Sequence, residues 1–94
     1  MFYLNVWLTV QNGEDTEAVA NALKRTGEKS RTEPGCHRWE AYQSEEDPSR
    51  FLLVEWWETK EHWELHRQAE AVQQIYLKEV IPKVTREAHP CRMI

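Results

Sequence analysis

Phe51-Leu52-Leu53-Val54-Glu55-Trp56-Trp57 is the stretch that decides the fold, because it is apolar on both faces of a β-strand. Successive side chains of a strand point to opposite sides, so both sides of this one need a cover. The polar loop 44–49 precedes it, and the alternating segment 36–44 precedes the loop. We predict that the two apolar segments are strands paired as a hairpin.

A strand and a helix are predicted before the hairpin. Residues 2–10 alternate strictly, and one face carries Phe2, Leu4, Val6, Leu8 and Val10. From residue 14 to about residue 31 the apolar period becomes that of a helix, with Val19, Ala22, Leu23 and Thr26 on one stripe. Glu33-Pro34-Gly35 ends this helix, because proline cannot continue the hydrogen-bond ladder and glycine permits a sharp turn.

The segments after the hairpin complete the pattern. Thr59 is a suitable N-cap for a helix over residues 60–68, and a second helical pattern ends at Pro82. Residues 91–94 are interpreted as the fourth strand. The resulting order β-α-β-β-α-β predicts one α+β domain over residues 1–94, with the ferredoxin-like fold and an antiparallel sheet.

The apolar character of the third strand also predicts an oligomer. Helices cover only one face of a ferredoxin-like sheet, so the other apolar face needs a different cover. A second copy of the same sheet supplies it, and we therefore predict a homodimer. Trp7 and Trp56 are assigned to packing or to this dimer face.

The composition of the chain limits the kinds of partner and the cellular location that are expected. The net charge is −4 and the basic residues are scattered, which argues against nucleic acid. No apolar stretch approaches the roughly 18 residues of a membrane span, and the first residues do not resemble a signal peptide. Two cysteines fit a reducing compartment, so a cytoplasmic location is expected. The five tryptophans suggest an aromatic pocket or an interface.

The segment 59–67 carries the residues of greatest chemical interest. On a helix, His62 and His66 lie one turn apart on the same face. A metal site needs a third ligand, and no further histidine lies in an obvious place, so no metal is predicted. His66 is either a structural histidine or a general base, since imidazole titrates near neutral pH. The residues alone favour the structural interpretation.

Two tryptophans and two glutamates can likewise be interpreted either as structural or as functional residues. Trp57 and Trp63 either pack in the core or form a wall against which a planar substrate stacks. Glu40 and Glu55 lie among apolar residues, where a carboxylate must be paired or protonated. We interpret both as members of ion pairs rather than as catalytic acids, with Arg38, Arg50 and Arg67 as the candidate partners.

Three motifs together resemble one known family. Glu33-Pro34-Gly35-Cys36-His37-Arg38-Trp39-Glu40 is similar to its EPGC-x-x-(aromatic)-E signature, and Asp47-Pro48-Ser49-Arg50-Phe51 to its DP-x-x-F loop. Glu55-Trp56-Trp57 with His66 resembles its E-x-W followed nine residues later by histidine. The match is close over residues 33–66 and otherwise rests on element order. The chain thereby resembles the antibiotic-biosynthesis-monooxygenase family of dimeric α/β barrels.

The resemblance implies a narrower set of functions. The family includes cofactor-independent monooxygenases of hydroquinones or anthrone-like polyphenols, proteins that process phosphorylated autoinducer-2, and haem-degrading enzymes. It makes His66 the candidate catalytic base and Trp57 a border of the pocket. With them, Trp63, His62 and Arg67 are the candidate substrate-binding residues.

Departures from the family pattern bear on the choice between these functions. The first-strand asparagine of the oxygenase and haem branches falls on Val6, one residue from Asn5. The haem branch has tryptophan at the position of His66, and its iron-binding histidine falls near Tyr76, so haem degradation is disfavoured. We expect a cofactor-free monooxygenase acting on a small hydroquinone-like or polyphenolic aromatic substrate.

Two alternatives remain open. One is an isomerase or degradative enzyme for a small phosphorylated signal molecule, with Arg67 or Lys60 as its cation. The other is a non-catalytic dimer that binds a small ligand.

Overall fold

The predicted element order is found in a computed structural model that describes residues Met1–Ile94. The strands are β1 (Phe2–Val10), β2 (Cys36–Gln43), β3 (Arg50–Trp57) and β4 (Val84–Cys91). Between them lie the helices α1 (Thr16–Ser30) and α2 (Lys60–Gln68), and a π-helix (Ala71–Val80). Short 3₁₀ turns at Gly13–Asp15 and Ile81–Lys83 precede α1 and β4.

The four strands form one antiparallel sheet in the order β2-β3-β1-β4. In the centre of the sheet, Val6 of β1 lies opposite Leu53 of β3 on one side and Ala88 of β4 on the other. The predicted α+β, ferredoxin-like fold with an antiparallel sheet is therefore confirmed.

The position of the fourth strand was predicted wrongly. The prediction put it at residues 91–94, whereas β4 runs from Val84 to Cys91. Only Val84 of this strand is buried, and the polar run Thr85-Arg86-Glu87 follows it. An edge strand that is exposed on most of its length lacks the alternating apolar pattern by which strands are recognised.

A capping residue and a turn fix the two ends of helix α1. The side chain of Asn12 accepts a hydrogen bond from the backbone N–H of Glu14 at 3.1 Å, and thereby caps the 3₁₀ turn that leads into the helix. The predicted stripe is buried, with Val19, Ala22, Leu23 and Thr26 packed towards the core. Pro34 follows shortly after the last turn, and Gly35 takes a positive φ of 77°.

One face of the sheet packs against the helices and holds the core. It carries Leu4, Val6 and Leu8 of β1 and Phe51, Leu53 and Trp57 of β3. The π-helix buries Val72, Ile75, Tyr76 and Val80 against it, as the second helical pattern predicted. Helix α2 differs from its neighbours, because His66 is its only buried residue.

The opposite face of the sheet has no helices, and we call it the uncovered face. Its centre consists of the half-buried side chains of Tyr3, Trp7, Leu52, Val54 and Trp56. Guanidinium groups flank this centre: Arg50 lies 4.3 Å above the ring of Trp7, and Arg38 lies 4.9 Å above that of Trp56.

The two edges of the sheet are irregular. On β2 the pairing shifts between Cys36 and Arg38, which marks a bulge, and β4 contains Pro90 near its end. Cys36 and Cys91 are free and lie on strands at opposite edges. None of the helices has the length and the apolar character needed to cross a membrane.

Candidate functional site

Helix α2 begins at the surface and places His66 in the interior of the domain. The helix begins at a capped turn, where the hydroxyl of Thr59 accepts the backbone N–H of His62 at 3.2 Å. Trp63 anchors its middle by stacking on Phe2, with 5.0 Å between ring centroids. His66 then reaches the core in the last turn, where its side chain is only 5% exposed.

A glutamate from the turn after α1 meets this histidine. The Oε1 atom of Glu33 lies 2.7 Å from His66 Nδ1, and the Glu33 side chain is 14% exposed. The turn is tightly constrained, because a Cβ atom at Gly35 would lie 2.4 Å from the Cγ atom of His62. The Pro34-Gly35 turn therefore packs directly against α2, the helix that carries His66.

A second glutamate approaches the other side of the imidazole. Glu55 lies on the helix-covered face of β3 and is nearly fully buried. Its Oε1 atom accepts the indole N–H of Trp57 at 3.0 Å and lies 3.7 Å from His66 Nε2. The imidazole thus sits between two carboxyl groups, with its ring centroid 4.4 Å from that of Trp57.

Burial sets the protonation of these three groups. It lowers the pKa of His66 to about 4, because the charged imidazolium loses solvent. Burial also raises the pKa of Glu55 to about 7. The pKa of Glu33 rises to about 7 for the same reason, with a further contribution from the charge of Glu55. Near neutral pH the imidazole is therefore uncharged and able to accept a proton.

A cavity of about 310 Å³ opens beside the histidine, between the helices and the sheet. Its polar lining includes Glu55, His66, Tyr76, Arg67 and Arg86, and a volume of this size suits a small ligand. Arg86 Nε donates a hydrogen bond of 3.0 Å to the hydroxyl of Tyr76. Burial raises the pKa of that phenol, so Tyr76 stays protonated at neutral pH.

The structure brings three of the five predicted site residues to this cavity. His66, Trp63 and Arg67 line it. Trp57 does not, since its side chain is 0% exposed and lies under the imidazole. The expected role of Trp57 as a pocket wall is therefore replaced by support of His66 and Glu55.

His62 also lies away from the main cavity. Its Nδ1 atom is 2.9 Å from the hydroxyl of Thr59, and its ring borders a smaller cavity of about 220 Å³. His66 and Glu33 border the same smaller cavity, so the imidazole of His66 forms a wall shared by the two spaces. No group of three or more histidine, cysteine, aspartate or glutamate side chains is arranged so that it could hold a metal ion.

The two strand glutamates have different partners. Glu40 accepts a hydrogen bond from Arg38 Nε at 2.7 Å, and this is the kind of ion pair that the sequence predicted. Glu55 has none of the predicted arginine partners and instead contacts Trp57 and His66. The ion-pair interpretation of Glu55 is therefore wrong, because its strand position turns it inwards under α2.

Several residues of the site were not singled out from the sequence. Glu33 stands in the quoted turn motif, but its contact with His66 joins residues far apart in the chain. Tyr76 was considered only as the counterpart of a family histidine. Arg86 was not considered, because the fourth strand was predicted at residues 91–94 rather than where β4 lies. Trp39 also lines the cavity, and its buried indole nitrogen has no hydrogen-bond partner.

The fold and the cavity beside His66 define a ferredoxin-like α+β domain with a small cavity next to a buried histidine. The sequence model of the antibiotic biosynthesis monooxygenase family matches residues 1–76, and the chain belongs to that family. No functionally curated protein matches the chain.

Solved structures of similar fold cover nearly the whole chain. One is a protein from Nitrosomonas europaea assigned to the antibiotic biosynthesis monooxygenases, with 26% identity and a TM-score of 0.91 over 100% of this chain and 99% of that one. A protein from Shewanella oneidensis has 26% identity and a TM-score of 0.79, covering 96% of this chain and 90% of its own. A protein from Pseudomonas aeruginosa, at 20% identity, has a TM-score of 0.90 over 99% and 93% of the two chains and shares the fold.

Proposed function

We propose that this protein is a cofactor-independent monooxygenase that oxidises a small hydroquinone-like or polyphenolic aromatic substrate with O₂. The observation that carries the proposal is the position of His66. It is a buried, uncharged imidazole held between two carboxyl groups at the wall of a ligand-sized cavity. A general base must be unprotonated at the working pH and within reach of the substrate's proton.

In the proposed reaction, His66 takes one proton from the substrate and later returns it. His66 Nε2 takes the proton of a substrate hydroxyl, and the electron-rich anion passes one electron to O₂. The two radicals combine to form a carbon–oxygen bond, and the proton on His66 returns to the peroxide. Loss of the hydrogen on that carbon breaks the O–O bond, so that the carbon becomes a carbonyl and the other oxygen leaves as water.

Glu33 is proposed as the residue that prepares His66 for this role. An ionised Glu33 accepts the Nδ1–H of His66, which leaves Nε2 as the free acceptor on the cavity side. The same carboxylate stabilises the imidazolium that forms during the reaction. A protonated Glu33 would donate to Nδ1 instead, and the proton of the neutral ring would then occupy Nε2.

Activity is therefore expected to rise with pH. Because the pKa of Glu33 is about 7, the active tautomer becomes dominant as pH rises through 7, and kcat should increase between about pH 6 and 8. Glu55 also titrates near pH 7, whereas burial raises the pKa of Tyr76, which stays protonated over this range.

Glu33→Gln tests the assignment of this residue. We expect kcat to fall by roughly 10- to 100-fold, the scale known for residues that orient a metal-bound histidine, with little change in KM. Glu58→Gln is the matched control, because Glu58 pairs with the exposed His37 on the surface. A Glu33→Gln enzyme with unchanged kcat and an unchanged pH profile would contradict the assignment.

Oxygen uptake tests the proposed function itself. Protein freed of metal and flavin is mixed with hydroquinones and anthrone-like phenols in an oxygen electrode. We expect one O₂ to be consumed per substrate oxidised, and no substrate to be converted under nitrogen. The absence of O₂ uptake across the set would contradict the proposal.

A second candidate function is favoured by the two arginines on the cavity. Arg67 and Arg86 could bind a phosphate group, as an isomerase or degradative enzyme for a small phosphorylated signal molecule would require. Lys60, the other cation considered, does not line the cavity. This activity would convert a phosphorylated, sugar-like ketone under nitrogen, whereas a non-catalytic binder would show neither reaction.

We also propose that two copies of the chain pair through the uncovered face. Its apolar centre, formed by side chains such as Trp7, Leu52 and Trp56, is the kind of contiguous patch that marks an interface. The arginines that lie over Trp7 and Trp56 form a polar rim around it.

Trp56→Glu is expected to separate the two copies, because it places a charge in the apolar centre. Light scattering at micromolar concentration should give about twice 11.3 kDa for the original chain and 11.3 kDa for the variant. Leu65→Glu is the control, since Leu65 is exposed on α2, away from the sheet. A monomeric original chain would contradict the pairing.

A further inference from the structure

Two arginines on the main cavity are held by aromatic side chains. Arg67 lies with its guanidinium 5.0 Å above the ring of Trp63, and Arg86 donates its Nε–H to Tyr76. Neither forms a salt bridge, although acidic residues outnumber basic ones by 16 to 12. By contrast, Arg25 and Arg38 each pair with a glutamate.

Both guanidinium groups are held so that donors remain free. Arg86 uses Nε for Tyr76, which leaves its two terminal nitrogens available. Arg67 stacks by its face, so its in-plane N–H groups are also available. Aromatic partners fix the two side chains without consuming the forked donors that recognise a carboxylate.

The cavity lining therefore combines two chemically distinct pairs of side chains. His66 and Glu55 are buried, whereas Arg67 and Arg86 are exposed. Apolar side chains, among them Val72, Leu77, Ile81 and the ring of Trp63, complete the lining. Aromatic and aliphatic side chains pack well against a flat ring, which favours an aromatic ring as the body of the ligand.

We propose that the cavity binds a hydroxylated aromatic carboxylate, with its hydroxyl at His66 and its carboxylate held by Arg67 and Arg86. This inference rests on the proposed monooxygenase function and specifies its class of substrate. The two arginines are thus assigned as specificity-determining residues, which bind the part of the substrate that does not react.

The test compares two ligands that differ in one group. Binding of 2,5-dihydroxybenzoate and of methylhydroquinone, which has a methyl group in place of the carboxylate, is measured by calorimetry under nitrogen. We expect the carboxylate to bind roughly 10- to 100-fold more tightly, the range of hydrogen bonds to charged groups. Equal affinities for the two ligands would overturn the proposal.

Variants then assign the preference to the arginines. Arg67→Gln and Arg86→Gln are each expected to lose most of the preference for the carboxylate, with the affinity for methylhydroquinone changed by less than about 2-fold. Arg92→Gln, at an exposed position outside the cavity, is the control and should keep the full preference. Thermal unfolding verifies that each variant is folded, and Arg86→Lys retains the charge if the glutamine variant unfolds.

The outcomes separate this inference from the proposed function. A carboxylate preference that depends on both arginines, found without any O₂ uptake, would support the subsite and overturn the monooxygenase. O₂ uptake with equal KM values for the two substrates would support the monooxygenase and overturn the subsite. A preference that survives in the Arg67→Gln, Arg86→Gln double variant would overturn the subsite, as would binding of ribose 5-phosphate as tight as that of the aromatic carboxylate.

Discussion

Replacing His66 by alanine is expected to lower turnover of a hydroxylated aromatic substrate by roughly 100-fold or more, the usual scale for loss of a general base. The physical reason is that His66 is the proton acceptor of the proposed reaction, and the neighbouring Glu55 is only partly available to replace it. Glu55 is partly protonated near pH 7 and already accepts the N–H of Trp57. The measurement is kcat from oxygen uptake, with ligand affinity determined separately under nitrogen.

The design of this experiment must separate chemistry from folding. His66→Ala leaves the partly buried Glu33 without its partner, which costs about 1–3 kcal/mol of folding free energy. His66→Gln keeps a hydrogen-bonding side chain near Glu33 and supplies a better-folded variant. His37→Ala is the control, because His37 lies exposed on β2 and outside the cavity. A fully active His66→Ala enzyme would remove the proposed mechanism.

Trp57→Ala is expected to cause the largest loss of stability, about 3–5 kcal/mol in the free energy of unfolding. Trp57 is fully buried at the end of β3, so its removal leaves a void under the imidazole and takes a donor from Glu55. In a domain of this size each 1 kcal/mol lowers Tm by roughly 4–8 °C. Urea denaturation provides the measurement.

Two further substitutions serve as comparisons for the loss of stability expected of Trp57→Ala. Trp57→Phe keeps most of the ring but leaves the Glu55 carboxyl without its N–H donor, which should cost about 1–3 kcal/mol. Trp63→Ala removes a tryptophan that lines the cavity and is only partly buried, so it should weaken ligand binding more than stability. Equal stability losses for Trp57→Ala and Trp63→Ala would contradict the placement of Trp57 in the core.

Local patterns explain which parts of the fold were predictable. The alternation of β1 and the stripe of α1 each describe one buried face, and that information is contained in neighbouring residues. Strand β3 is different, because both of its faces are apolar. Alternation therefore could not decide whether Trp56 or Trp57 faces the helices, and a substrate-contacting role was assigned to the tryptophan that packs in the core.

The centre of the site depended on contacts that no local pattern encodes. Glu33 and Glu55 reach His66 from two separate elements, and only the packing of α2 against the sheet brings them together. His66 itself was identified through the family motif rather than by periodicity. Arg86 lies on an edge strand with little apolar pattern, so its approach to the cavity could not be foreseen.

The irregular edges of the sheet have a consequence for how the protein behaves when concentrated. Unpaired strand edges can recruit further strands and extend into fibrils. Here the bulge at Cys36 and Arg38 distorts one edge, and the other carries Arg86 and Glu87 and ends near Pro90, which has no N–H to donate. Both edges are therefore poor templates for the addition of further strands, which disfavours the growth of fibrils from the sheet edges.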